Sequence, residues 1–118
     1  MSTDLDMLQR RLAAFYDDRD WTQFHTLKDV AASAAIEAAE LQEIFLWRSG
    51  SDSDTVAESR RDDVESELAD VLINCLNFAR LAAIDPVVAV GRKLDELERR
   101  YPVAEVRGRV IAKSRARN

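Results

Sequence analysis

The 118-residue sequence predicts an all-α, four-helix bundle-like fold. Three observations lead there: Ala occurs 17 times, only three Gly and two Pro are present, and apolar residues recur at helical spacing in four segments. The same scarcity of turn residues excludes a β-sandwich or barrel. With 47% hydrophobic and 33% charged residues the chain has a folding composition, long enough for one domain with a modest core.

The first helix is expected from about Asp4 to Asp18, with Leu5, Leu8, Leu12 and Phe15 on one face. The second begins near Leu27, with Thr26 as N-cap and Asp29 completing a variant capping box, and continues to about Arg48, before Ser49-Gly50-Ser51. The third starts between Asp54 and Asp62 and reaches roughly Ala83. Asp85-Pro86 supplies a cap and a first-turn proline for the fourth, which ends near Arg100, before Tyr101-Pro102. From Val103 onward five basic residues face one acid. A basic tail of this kind suits a polyanion or an acidic pocket, or is simply solvated and partly disordered.

Several functional classes fall away. The longest uncharged apolar run, residues 71–79, is about half of what a membrane span needs. The N-terminus is acidic and lacks a signal-peptide pattern. Cys75 alone makes neither an internal disulfide nor a zinc site, and inside an apolar run it reads as core. A net charge of −5 disfavours nucleic-acid binding. A cytoplasmic protein without membrane or nucleic-acid partners is expected.

Carboxylates spaced i,i+3 occur as six pairs, so spacing alone is weak. Two pairs stand apart by their neighbours. On the second helix Val30, Ala34, Leu41 and Ile44 define the apolar arc; Glu37 falls in its middle and Glu40 at its edge. On the third, Val64, Leu68, Val71, Cys75, Phe78 and Ala79 form a broad apolar face, with Glu67, Asp70 and Asn74 as a polar stripe along its margin. Ionised carboxylates so placed cost several kcal/mol unless paired. Four of them without His or Cys form an all-oxygen set suited to Mg²⁺, or Mn²⁺, which takes further oxygens from substrate phosphates. A di-iron site would need Glu-x-x-His pairs, which His25 does not supply. The alternative is four ordinary surface charges.

Other candidates are equally two-sided. Trp21 and Trp47 are packing residues by default, but beside a phosphate-oriented metal they would frame a nucleobase. Lys93 and Arg100 are solvated charges by default, and phosphate partners near a metal-bound triphosphate. His25 reads as a cap or hydrogen-bond partner.

Arg19-Asp-Trp-Thr-Gln-Phe-His25, Ile36-Glu-Ala-Ala-Glu-Leu41, Phe45-Leu-Trp47, Glu67-Leu-Ala-Asp-Val-Leu-Ile73 and Arg100-Tyr-Pro-Val103 occur in this order. The set resembles the MazG-like nucleoside triphosphate pyrophosphohydrolases, particularly the small dCTP pyrophosphatase branch. The resemblance spans roughly Leu5 to Gly108, so residues 1–108 form the expected domain and 109–118 the tail. It implies an all-α NTP pyrophosphatase fold, a homodimer or homotetramer, and Mg²⁺-dependent cleavage of a (d)NTP to the monophosphate and pyrophosphate in nucleotide-pool sanitation. It also implies Glu37, Glu40, Glu67 and Asp70 as metal ligands, with Glu37 and Glu40, the latter above all, as candidates for general base. Trp21 and Trp47 would line the base pocket, and Asn74, Lys93, Arg100 and Tyr101 would bind substrate. Leu12 and Asn74 stand where dCTP-preferring members carry His and Tyr, which leaves base preference open. The rival from another class is a non-catalytic helical interaction module whose acidic stripes bind a basic partner.

Overall fold

The computed structural model describes residues 3–109, which divide into two compact units: residues 3–84 and residues 85–109. No strand is present among the described residues, and none of their helices is by itself long and apolar enough to cross a membrane.

The first unit contains α1 (Asp4–Asp18), a 3₁₀ turn (Thr22–Phe24), α2 (Leu27–Glu43), a second 3₁₀ turn (Gly50–Asp52), α3 (Ser53–Ser59) and α4 (Arg61–Leu81). Helix α4 is its organising element. Its main packing partner is α2, and α1 and α3 also lie against it. Val30 of α2, Ile44 at its C-cap, Val56 of α3 and Ala79 of α4 are buried, each large side chain contributing about 1.5–3 kcal/mol.

Local chemistry sets the helix ends. Thr3 and Asp6 form a complete capping box on α1. Thr26 Oγ1 accepts from the Asp29 amide at 3.1 Å, so the expected cap of α2 is present with one arm. Helix α4 ends in a Schellman motif, with the Ile84 amide on the Ala79 carbonyl and the Ala83 amide on the Arg80 carbonyl. That motif puts Ala83 at φ 55°, a position glycine usually takes.

Three expectations are corrected. Helix α2 stops at Glu43, not Arg48, because the chain tightens into i→i−3 bonds (Phe45 to Gln42, Leu46 to Glu43) before Trp47 turns left-handed at φ 65°. An additional helix, α3, precedes α4; the two are separated at Arg60, whose φ and ψ are −118° and 36°. Cys75 and Leu68, expected in the core, are exposed, because the apolar face of α4 is broader than its packing partners cover. Between α1 and α4 this leaves a groove of about 430 Å³ lined by Leu8, Leu12, Phe15, Leu72, Ile73 and Leu76, among others.

The second unit comprises α5 (Pro86–Arg100) and α6 (Val103–Val106). Asp85 Oδ1 accepts from the Val87 and Val88 amides, with Pro86 in the first turn, as expected. Lys113, Arg115 and Arg117 of the expected basic tail lie outside the described residues.

Candidate metal centre

Glu37 stands seven residues after Val30 and seven before Ile44, so two buried apolar side chains bracket it on one face of α2. The packing that buries them carries the Glu37 carboxyl toward α4. There Glu67 and Asp70, one turn apart, meet it. One oxygen from each of Glu37, Glu67 and Asp70 falls within 4.8 Å of the others.

Partial burial without partners makes this cluster electrostatically unusual. Glu37 Oε2 and Glu67 Oε2 are both inaccessible and accept no hydrogen bond. Hydrogen bonding with the Glu40 carboxyl leads the causes that push Glu37 above the usual glutamate range, followed by burial and by the charges of Glu40, Asp70 and Glu67. For Glu67 burial comes first, followed by the charge and hydrogen bonding of Glu40. Glu40 thus couples to both helices from a more exposed position. Three of the four carboxylates selected from the sequence meet directly, and Glu40 acts on Glu37 and Glu67 from beside them.

A polar cavity of about 310 Å³ opens beside it, lined by Glu40, Glu43, Ile44, Arg60 and Glu67. Glu43 and Arg60 are additions that the sequence reading did not select. Glu43 was legible as the next i,i+3 carboxylate; Arg60 reaches the cavity because the chain breaks there. Arg60 is also held by Asp63 at 2.9 Å.

Glu37 and Glu67, pushed up by hydrogen bonding with Glu40, by burial and by neighbouring negative charge, and each with one inaccessible unpartnered oxygen, fit a hard divalent cation. Among the described residues no imidazole or thiol joins these three carboxylates, which disfavours zinc.

The profile of the MazG-like family matches residues 32–110, which contain all four carboxylates. The chain belongs to the MazG-like family. This MazG-like chain is 35% identical over 106 residues to dCTP pyrophosphatase 1 of Bos taurus, covering 88% of the chain and 63% of that protein. It is 34% identical over 100 residues to dCTP pyrophosphatase 1 of Homo sapiens, covering 83% and 59% respectively. The chain therefore spans about three fifths of the length of these relatives. A solved pyrophosphatase from Archaeoglobus fulgidus is similar with a TM-score of 0.83 and 44% identity, covering 86% of this chain and 95% of that one.

The remaining selected residues are spread through the MazG-like fold. Trp21 opens the first 3₁₀ turn and its ring meets Phe15 edge-on at 5.8 Å. Trp47 is 97% exposed in the turn after α2. Asn74, one turn beyond Asp70, donates its side-chain amide to the Asp70 carbonyl at 2.9 Å. Leu12 lines the apolar groove between α1 and α4. In the second unit Lys93 pairs with Glu96 at 3.1 Å, and Arg100 pairs with the same carboxyl, which corrects the default of free solvated charges. Arg100 Nη1 is buried without a partner, and the guanidinium lies 6.0 Å from the Tyr101 ring centre.

Proposed function

We propose that this chain is a Mg²⁺-dependent nucleoside triphosphate pyrophosphohydrolase that converts a (d)NTP to the (d)NMP and pyrophosphate. The observation that carries the reading is the meeting of Glu37, Glu67 and Asp70 across α2 and α4, with two buried carboxylate oxygens lacking any partner. The names of the relatives, dCTP pyrophosphatase 1, support the same reaction class.

Glu37, Glu67, Asp70 and Glu40 would hold the cation, Mn²⁺ being an alternative to Mg²⁺. Bound there, it supplies neutralising charge for the triphosphate and a more acidic water. Glu40, the most exposed of the four, is best placed to accept the proton of the attacking water. Trp21 and Trp47 offer indole faces to frame the base. Lys93 and Arg100, of this chain or of a neighbouring subunit, would exchange Glu96 for phosphate oxygens, and the Tyr101 hydroxyl would join them. Asn74, one turn beyond Asp70, would contact the nucleotide. A second copy of the chain would cover the apolar groove between α1 and α4, giving a homodimer or homotetramer, since its Leu and Ile side chains are otherwise left to water. The cellular role would be removal of unwanted or surplus nucleotides from the cytoplasmic pool.

Incubation with a panel of NTPs and dNTPs and Mg²⁺, followed by separation of the products, tests the reaction. Monophosphate and pyrophosphate in equal amounts, abolished by chelation, are expected. Absence of pyrophosphate from every nucleotide overturns the enzymatic reading and favours a non-catalytic interaction module.

A further inference from the structure

Asn77 is the one polar residue fully buried among the described residues, at 1% exposure, and it belongs to no motif. Both ends of its amide are engaged. Its Oδ1 faces Arg80, accepting from Nη2 at 2.8 Å and from Nε at 3.2 Å. Its Nδ2 faces His25 Nδ1 at 3.2 Å, 52 residues away in sequence.

Donor and acceptor arithmetic makes this arrangement directional. A guanidinium only donates, so the amide end facing Arg80 must be the oxygen. The opposite end is then NH₂, which only donates, and His25 Nδ1 must accept. His25 is therefore neutral in this arrangement, with its proton on Nε2.

The same side chains hold the turn that carries Trp21. Arg80 Nη2 reaches Thr22 Oγ1 at 3.4 Å, and Arg80 Nη1 lies 3.9 Å from Asp17 Oδ1. Thr22 donates to that same Asp17 oxygen at 2.7 Å. The Tyr16 ring meets His25 edge-on at 4.7 Å and lies 5.5 Å from the Arg80 guanidinium. Trp21 sits inside this frame, directly after Asp20, which adopts a left-handed φ of 55°, and its amide is bonded to the Tyr16 carbonyl. That bond, with the Asp20 amide on the Asp17 carbonyl, makes a Schellman motif that closes α1 and delivers Trp21 to the turn.

We propose that Asn77, acting through His25 and Arg80, is the positioning residue of the nucleotide-binding turn: it locks residues 19–25 onto α4 so that the Trp21 indole is fixed for contact with the base. The proposal rests on the reading of Trp21 as part of the base pocket. It adds a specific cause for the geometry of that pocket, ten residues along the helix from Glu67.

Incorporation of 5-fluorotryptophan gives two ¹⁹F resonances, assigned with W47F. Asn77→Ser should shift or broaden the Trp21 resonance and leave that of Trp47 in place. An unmoved Trp21 resonance overturns the lock. The imidazole ¹⁵N spectrum of the folded protein should show Nδ1 unprotonated and Nε2 protonated; the opposite tautomer also overturns it.

Kinetics separate positioning from mere stabilisation. Asn77→Ser should raise KM for the nucleotide about tenfold, with kcat within about twofold. Combined with Trp21→Ala it should add less than about twofold, because the two act through one contact. Full additivity shows that Asn77 does not act through Trp21. Should Asn77→Ser fail to fold, His25→Leu takes its place, with His25→Asn, whose Oδ1 can occupy the Nδ1 position, expected to restore KM. A wild-type chain that hydrolyses no nucleotide defeats the enzymatic reading instead, and the ¹⁹F spectrum still decides whether Asn77 holds the turn.

Discussion

Helix α4 carries two polar clusters on one seam, and they are opposites. Glu67, Asp70, Asn74 and Asn77 follow one another at three- and four-residue steps, positions where a packed helix normally places apolar side chains. In the later cluster Asn77 is satisfied at both ends by Arg80 and His25. In the earlier one Glu67 and Glu37 face each other with oxygens that nothing satisfies. A buried polar group that finds partners within the chain secures geometry. One that finds only like charges is waiting for a ligand of opposite sign.

The sharpest way to break this contrast is to truncate the unsatisfied side. Glu37→Ala or Asp70→Ala should reduce pyrophosphate release at least about a hundredfold while the far-ultraviolet circular dichroism stays helical. Full activity in either variant would separate the carboxylate cluster from the chemistry.

Stability should respond in opposite directions in the two clusters. Asn77→Leu removes the acceptor of Arg80 Nε and the partner of His25 Nδ1, and chemical denaturation should show a loss of about 1–3 kcal/mol. Glu67→Gln removes repulsion, so the Tm in chelator should rise while the gain on adding Mg²⁺ largely disappears. A lower metal-free Tm for Glu67→Gln would mean that the cluster is not repulsive.

The pH dependence of the metal-free protein sharpens the same point. Glu37 and Glu67 are raised in the folded state, so the folded chain holds their protons more tightly than the unfolded chain. Their contribution to stability is fully present below the ordinary glutamate range and is lost as pH rises through the raised values. Thermal melts in chelator should therefore lose stability from these groups as pH rises from acid toward neutral. The Tm increase caused by Mg²⁺ should grow over the same interval, since the cation needs the ionised form.

The smallest effect concerns the end of the helix that both clusters share. Ala83→Gly relieves a left-handed alanine in the Schellman motif and should stabilise by about 1 kcal/mol, read from the denaturation midpoint.

Much of this was legible before the structure. The first-turn chemistry of Thr26 and Asp85-Pro86 identified where α2 and α5 begin, because capping is a contact within three residues. The Val30–Glu37–Ile44 spacing was enough to mark Glu37 as a carboxylate on an apolar face. The break at Arg60 and the early end of α2 were not legible, since no Gly or Pro marks either position. Arg60 became a cavity residue only through that break. Asn77 was missed because a lone Asn in an apolar helix has no local signal; its partner His25 lies 52 residues away. The pairing of both Lys93 and Arg100 with Glu96 is local at i,i+3 and i,i+4 and could have been found.

The amino-acid order alone determined the helical class, the starts of the capped helices and which carboxylates share a helical face, since these depend on spacing within a single helix. Only the tertiary structure decided which of those carboxylates lose water and partner together, and that Asn77 holds the Trp21 turn. Desolvation and long-range hydrogen bonding arise when α2, α4 and the turn before α2 approach one another, and no repeat within one segment encodes that approach.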